Sequence, residues 1–125
     1  IPYNEDYVYF GGYETEQGMR GCEYLMNLPS PPTAIFSISD IIAIGAMNYA
    51  LSKGYRIGKD LIFMGFDNIQ YSHMFVPHLS TVEQPCYAQG KLVIEKLIEN
   101  MKATNPDHNL YTLPHSLVLR ESTGD

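Results

Sequence analysis

Two stretches of the chain, residues 33–38 (TAIFSI) and 61–66 (LIFMGF), are short and almost continuously apolar. Runs of that length without alternation predict strands covered on both faces, as in a parallel sheet. Between them, residues 41–53 predict a helix, with Asp40 placed to cap its start and Gly54 to end it. Upstream, residues 8–11 predict a first short strand. Met19, Cys22, Leu25 and Met26 then recur at helical spacing in a helix that Thr15 can cap and that runs to about residue 28. Pro29, Pro31 and Pro32 stop it. Strands alternating with helices through short loops define an α/β class with a parallel sheet flanked by helices.

The pattern changes after Phe66. Residues 67–78 read as irregular, 79–82 as a short strand, and Gln84–Pro85 as a sharp break. Residues 86–103 predict an amphipathic helix, with Ile94, Leu97, Ile98 and Met101 on one side and Lys91, Glu95, Glu99 and Lys102 on the other. A polar loop over 104–109 leads to two short strands, 110–113 and 116–120, separated at Pro114. Helix 41–53 differs from the others in being apolar nearly all round: only Asn48, Ser52 and Lys53 interrupt it. A helix of that kind is buried on two sides. A second subunit is the natural second cover, through Ile41, Ile44 and Asn48 with Met74 and Phe75 joining the patch; a roof from the same chain is the alternative.

Composition narrows the function. The 125 residues carry a formal charge of −6, which repels a phosphate backbone and argues against direct DNA binding by this stretch. No apolar run approaches the roughly 20 residues of a membrane span, and the opening IPYNEDYVYF lacks the basic and apolar regions of a signal peptide. Cys22 and Cys86 have no metal-ligand spacing and read as small buried apolar side chains in a reducing cytoplasm. His73, His78, His108 and His115 sit in loops or beside prolines, without metal spacing, and read as surface residues. With no nucleophile elbow and no Gly-rich phosphate loop, the sequence offers no catalytic residue, no metal site and no cofactor.

Ligands of open α/β sheets bind beyond the carboxyl ends of the strands. That rule points to Tyr13, Ser39 and Asp67. A carboxylate at Asp67 can accept two hydrogen bonds from vicinal hydroxyls, or it can be a turn residue. A ring at Tyr13 can lie on the apolar face of a sugar or base, or simply pack. Ser39 offers one hydroxyl, and Gln84 can serve either a ligand or the crossover where it stands.

Three segments carry a family resemblance. PTAIFSISDIIAIGAMNYALSKGYRIGKDLIFMGFDN (32–68), PHLSTVEQPCYAQG (77–90) and LPHSLVLRESTG (113–124) stand in the order and spacing of the lactose/galactose repressor (LacI/GalR) family of transcriptional regulators. The chain resembles the C-terminal part of that family's effector domain. The resemblance implies a periplasmic-binding-protein-like fold of two lobes around a cleft: residues 1–84 and 115–125 in the C-terminal lobe, and 85–114 as a helix and strand of the N-terminal lobe. Pro85 and Pro114 then stand at hinges. It further implies a small-molecule effector, a sugar or related metabolite, contacted by Tyr13, Ser39, Asp67 and Gln84. A homodimer through helix 41–53 is implied as well, with operator DNA bound only through an N-terminal helix-turn-helix that this chain does not contain. A sugar-binding protein of a transport system, which shares the fold, is the alternative.

Overall fold

The computed structural model describes residues 2–104 and 109–124; the predicted loop around residues 105–108, with His108, lies outside the described residues. The chain forms two compact units: Ile1–Glu83 with Leu117–Asp125, and Gln84–Ser116.

The first unit is built on strands β1 (Ala34–Phe36), β2 (Ile62–Asp67) and β3 (Ser80–Glu83), with β4 (Ser116–Val118) at the far edge in the order β1-β2-β3-β4. The β1–β2 and β2–β3 pairs are parallel, with Ile35 opposite Phe63 and Asp67 opposite Glu83. Helices α1 (Thr15–Met26) and α2 (Asp40–Ser52) supply the rest of the core, in which Cys22, Leu25, Ile35, Ala43, Met47, Ala50, Leu61, Phe63 and Leu79 are buried together. The two helices meet backbone to backbone. A Cβ at Gly45 would fall on the Thr15 carbonyl, and one at Gly18 on the Ile42 carbonyl.

This α/β architecture is the predicted one, with local corrections. Residues 8–11 form no strand; a 3-10 turn at Glu5–Tyr7 leads into extended chain at Val8 that joins no ladder of the described sheet. Ile35 and Phe63 are buried on the side of α1 and α2, whereas Phe36 on the opposite face of β1 is 60% exposed, so at β1 the described residues cover one face. Thr15 begins α1 but does not cap it, the cap position being Glu14 without a side-chain bond. The cap of α2 is Ser39, whose hydroxyl accepts from the Ile42 amide (3.4 Å), so Asp40 is freed for another task. Gly54, at φ +84°, follows the end of α2 in the left-handed conformation glycine favours.

The second unit contains α3 (Cys86–Lys102), which buries none of its residues. Its apolar side, Ile94, Leu97, Ile98 and Met101, is exposed. Cys86 is exposed too, against expectation, because it is the first residue of this uncovered helix; Cys22 is buried as expected, and burial pushes its thiol up to about 12. The predicted strand at 110–113 is absent. Leu110 is 93% exposed, and no strand of the described residues pairs with it.

Candidate functional site at the carboxyl end of the sheet

The carboxyl ends of β1 and β2 carry two of the candidate residues. Asp67 ends β2 with φ +110°, and Asn68 follows at +54°. Neither is glycine, and such dihedrals cost about 1–3 kcal/mol each, so surrounding bonds must hold them.

Those bonds come from three separate parts of the chain. The Asp40 carboxylate, wholly buried, accepts from the Ile69 amide through Oδ2 (2.9 Å) and from the Thr81 hydroxyl through Oδ1 (2.6 Å). Thr81 Oγ1 in turn accepts from the Asn68 amide (3.2 Å). The Asn68 side chain accepts from Arg120 Nη2 (2.7 Å) and donates to Glu83 Oε1 (3.0 Å). Arg120 also donates to Ser72 Oγ (3.1 Å) and to the Leu79 carbonyl. The tail is fixed a second time by Ser122, which accepts from the Ser80 amide (2.7 Å) and donates to the Phe63 carbonyl (2.7 Å). Gly65 makes room for this arrangement, since a Cβ there would run into the Asp40 carboxylate. Desolvation raises the Asp40 pKa above its ordinary 3.8; the bonds from Thr81 and Ile69 oppose that rise, the charge of Asp67 adds to it, and Arg120 counters it.

The other candidates take different positions. Ser39, half-buried, stands beyond the end of β1 with its hydroxyl accepting the cap bond. Tyr13 precedes α1 and is 74% exposed, so its ring presents a face to whatever approaches. A groove of about 400 Å³ runs between residues 7–12 and the end of β1, lined by Tyr9, Phe10, Gly11, Ser37 and Ile38; Tyr13, Ser39 and Asp67 do not line it. Gln84 directly follows β3 and belongs to the second unit. The structure therefore places Ser39 and Asp67 at the ends of neighbouring strands.

Of the five residues expected at a dimer interface, four meet. Ile41, Ile44, Met74 and Phe75 line a shallow concavity of about 360 Å³ with Thr15 and Tyr71; Asn48, one turn further along α2, does not. Part of the apolar circumference of α2 is taken by α1 of the same chain.

The sequence reading missed the Asp40–Thr81–Asn68–Arg120 network. The sequence carries its residues, a charged residue at the head of an apolar helix, a Thr in a short strand and an Arg in the tail, but no pattern that links them.

A mostly parallel α/β sheet, with polar residues gathered at its carboxyl edge and a tail returning to it, is the architecture of one class. The chain belongs to the periplasmic binding protein-like domain family, whose model matches residues 2–123, in the form found in LacI-type transcriptional regulators. Among its relatives, the ribose operon repressor of Haemophilus influenzae is 37% identical over 122 residues, which are 98% of this chain and 37% of that protein. The structure of a LacI-family regulatory protein from Chloroflexus aggregans is 34% identical with a TM-score of 0.88, over 99% of this chain and 45% of the other. A LacI-family regulator from Arthrobacter solved as a complex with lactose is 26% identical with a TM-score of 0.77, over 88% of this chain and 41% of the other. The chain thus spans little more than a third of the length of the ribose operon repressor. No helix of the described residues is long and apolar enough to cross a membrane.

Proposed function

We propose that this chain is the effector-binding and dimerisation part of a transcriptional regulator that senses a sugar and controls operator binding through a domain elsewhere in the protein. The observation that carries the reading is Asp67: a carboxylate held in a costly left-handed conformation at the carboxyl end of a parallel strand, where open α/β sheets receive their ligands. Its two oxygens suit a pair of adjacent hydroxyls. Ser39 adds a hydroxyl, Tyr13 a ring for the C–H face of the ligand, and Gln84 is the fourth candidate contact. Relatives named for ribose and solved with lactose support a sugar as the ligand class. The repressor relatives favour this reading over a transport protein of the same fold. The protein would then work in the cytoplasm.

The concavity of Ile41, Ile44, Tyr71, Met74 and Phe75, in which Met74 and Tyr71 are each 60% exposed, supports dimerisation. A second copy would bury these rings and aliphatic chains.

The test is a thermal-shift screen of the full-length regulator against D-ribose, lactose, sucrose and cellobiose, followed by calorimetry on Asp67→Ala. A sugar bound only by the folded state raises the melting temperature. Loss of a charged hydrogen bond costs about 1.5–3 kcal/mol, so Asp67→Ala should weaken affinity about ten- to hundredfold. Unchanged affinity removes Asp67 from the site.

A further inference from the structure

We propose that Asp40 and Thr81, with Arg120 of the C-terminal tail, are positioning residues that hold the Asp67–Asn68 turn in its left-handed conformation and so aim Asp67 at the ligand. The inference rests on the reading of Asp67 as a ligand contact.

Consecutive amides of the turn, Asn68 and Ile69, are bonded to Thr81 and Asp40, and these two are bonded to each other. The turn is therefore closed by a ring that runs from α2 to β3 and back. Both anchors are wholly buried, so water does not replace a lost bond at low cost. The side chain of Asn68 is held on two sides, by Arg120 and by Glu83. Arg120 cannot leave independently, because its own amide donates to Ser80 Oγ (2.7 Å) and its guanidinium grips Leu79 and Ser72. Loss of these bonds eases the return of residues 67 and 68 to ordinary negative φ, which would turn the Asp67 carboxylate away. None of the three residues reaches the ligand edge itself. Asp40 lies behind Gly65, in the space its missing side chain leaves, and Arg120 lies along the tail.

The experiment compares the full-length wild type with Thr81→Val, which keeps the shape and removes the hydroxyl, and Thr81→Ser, which restores it. Amide hydrogen exchange is followed at Asn68 and Ile69 and, as reference, at Phe63 and in α2. Thr81→Val should speed exchange at Asn68 and Ile69 about tenfold or more while the reference amides change much less, and Thr81→Ser should return them near wild type. Any sugar of the ribose, lactose, sucrose and cellobiose panel that binds the wild type should bind Thr81→Val several-fold more weakly and Thr81→Ser nearly normally. Unaltered exchange at 68–69, or an equal rise at every reference amide, overturns the positioning role. Should Thr81→Val fail to fold, Arg120→Gln replaces it: faster exchange confined to residues 68–72 supports the proposal, and none overturns it. Failure of Asp67→Ala to change affinity sinks the sensing reading instead, and the exchange result stands apart from it.

Discussion

Gly45 and Gly18 show how far single residues set this structure. Each lies where a helix backbone touches another backbone, so an added methyl cannot be absorbed by a side chain turning aside. Gly45→Ala should destabilise the fold by about 1–3 kcal/mol or more, the range for overpacking a core. Gly90→Ala in α3, where a Cβ meets nothing within 4 Å, is the control and should be neutral or slightly stabilising. Urea midpoints measure both, and an equal loss at the two positions would mean that contact is not the cause. Asp40 supplies a second prediction. Its pKa is raised in the folded state, with burial the largest cause, so the native protein binds the proton more tightly than the unfolded chain. Between 3.8 and its folded value, the native state carries more protons, and stability falls as pH rises through that window before levelling off. Wild type measured against Asp40→Asn should show this decline. A relative gain in wild-type stability with rising pH would mean that the bonds from Thr81 and Ile69 outweigh desolvation.

Elements were legible in the sequence wherever both partners of a contact lie within the chain. The turns at Pro31–Pro32 and Gly54 bracket β1 and α2, and the run 61–66 becomes β2 within one residue of its expected bounds. Residues 8–11 and 110–113 have strand-like patterns yet form no strand, because extended backbone becomes a strand only against a neighbour's amides. The site was legible as strand ends, which a fold rule locates. The network beneath it was not, since hydrogen bonds such as Thr81 to Asp40, 41 residues apart, leave no periodicity. Helix α2 lies between these cases. Its all-apolar surface was read as a need for two covers, and α1 turns out to be one of them. What is left is the concavity around Ile41 and Met74. Met74→Glu places a charge there without touching the buried core, as Met74 is largely exposed. In sedimentation, the full-length variant should be monomeric at concentrations where the wild type is a dimer. A variant that stays dimeric puts the interface elsewhere.

At the scale of the whole chain, charge sets a limit on what this part can do. Eight Lys and Arg face fourteen Asp and Glu, and several of the basic groups already have acidic partners. Arg20 pairs with Glu16 (2.6 Å) and Lys96 with Glu99 (2.8 Å), while Arg120 is taken up by Asn68, Ser72 and Leu79. Binding to a nucleic acid draws most of its strength from Lys and Arg displacing the counterions of the phosphates, and that contribution is largest at low salt. A surface of net charge −6 gains nothing from it and is repelled over the length of the duplex. In the proposed regulator the two tasks are therefore separated: this part binds the effector and its own copy, and a basic element elsewhere reads the operator. The 125-residue chain, mixed with operator-length duplex at about 50 mM salt, where non-specific binding is strongest, should cause no retardation in a gel shift. Retardation that weakens as salt rises would show a basic surface in use that this charge distribution does not provide, and would place part of the DNA contact in the effector domain itself.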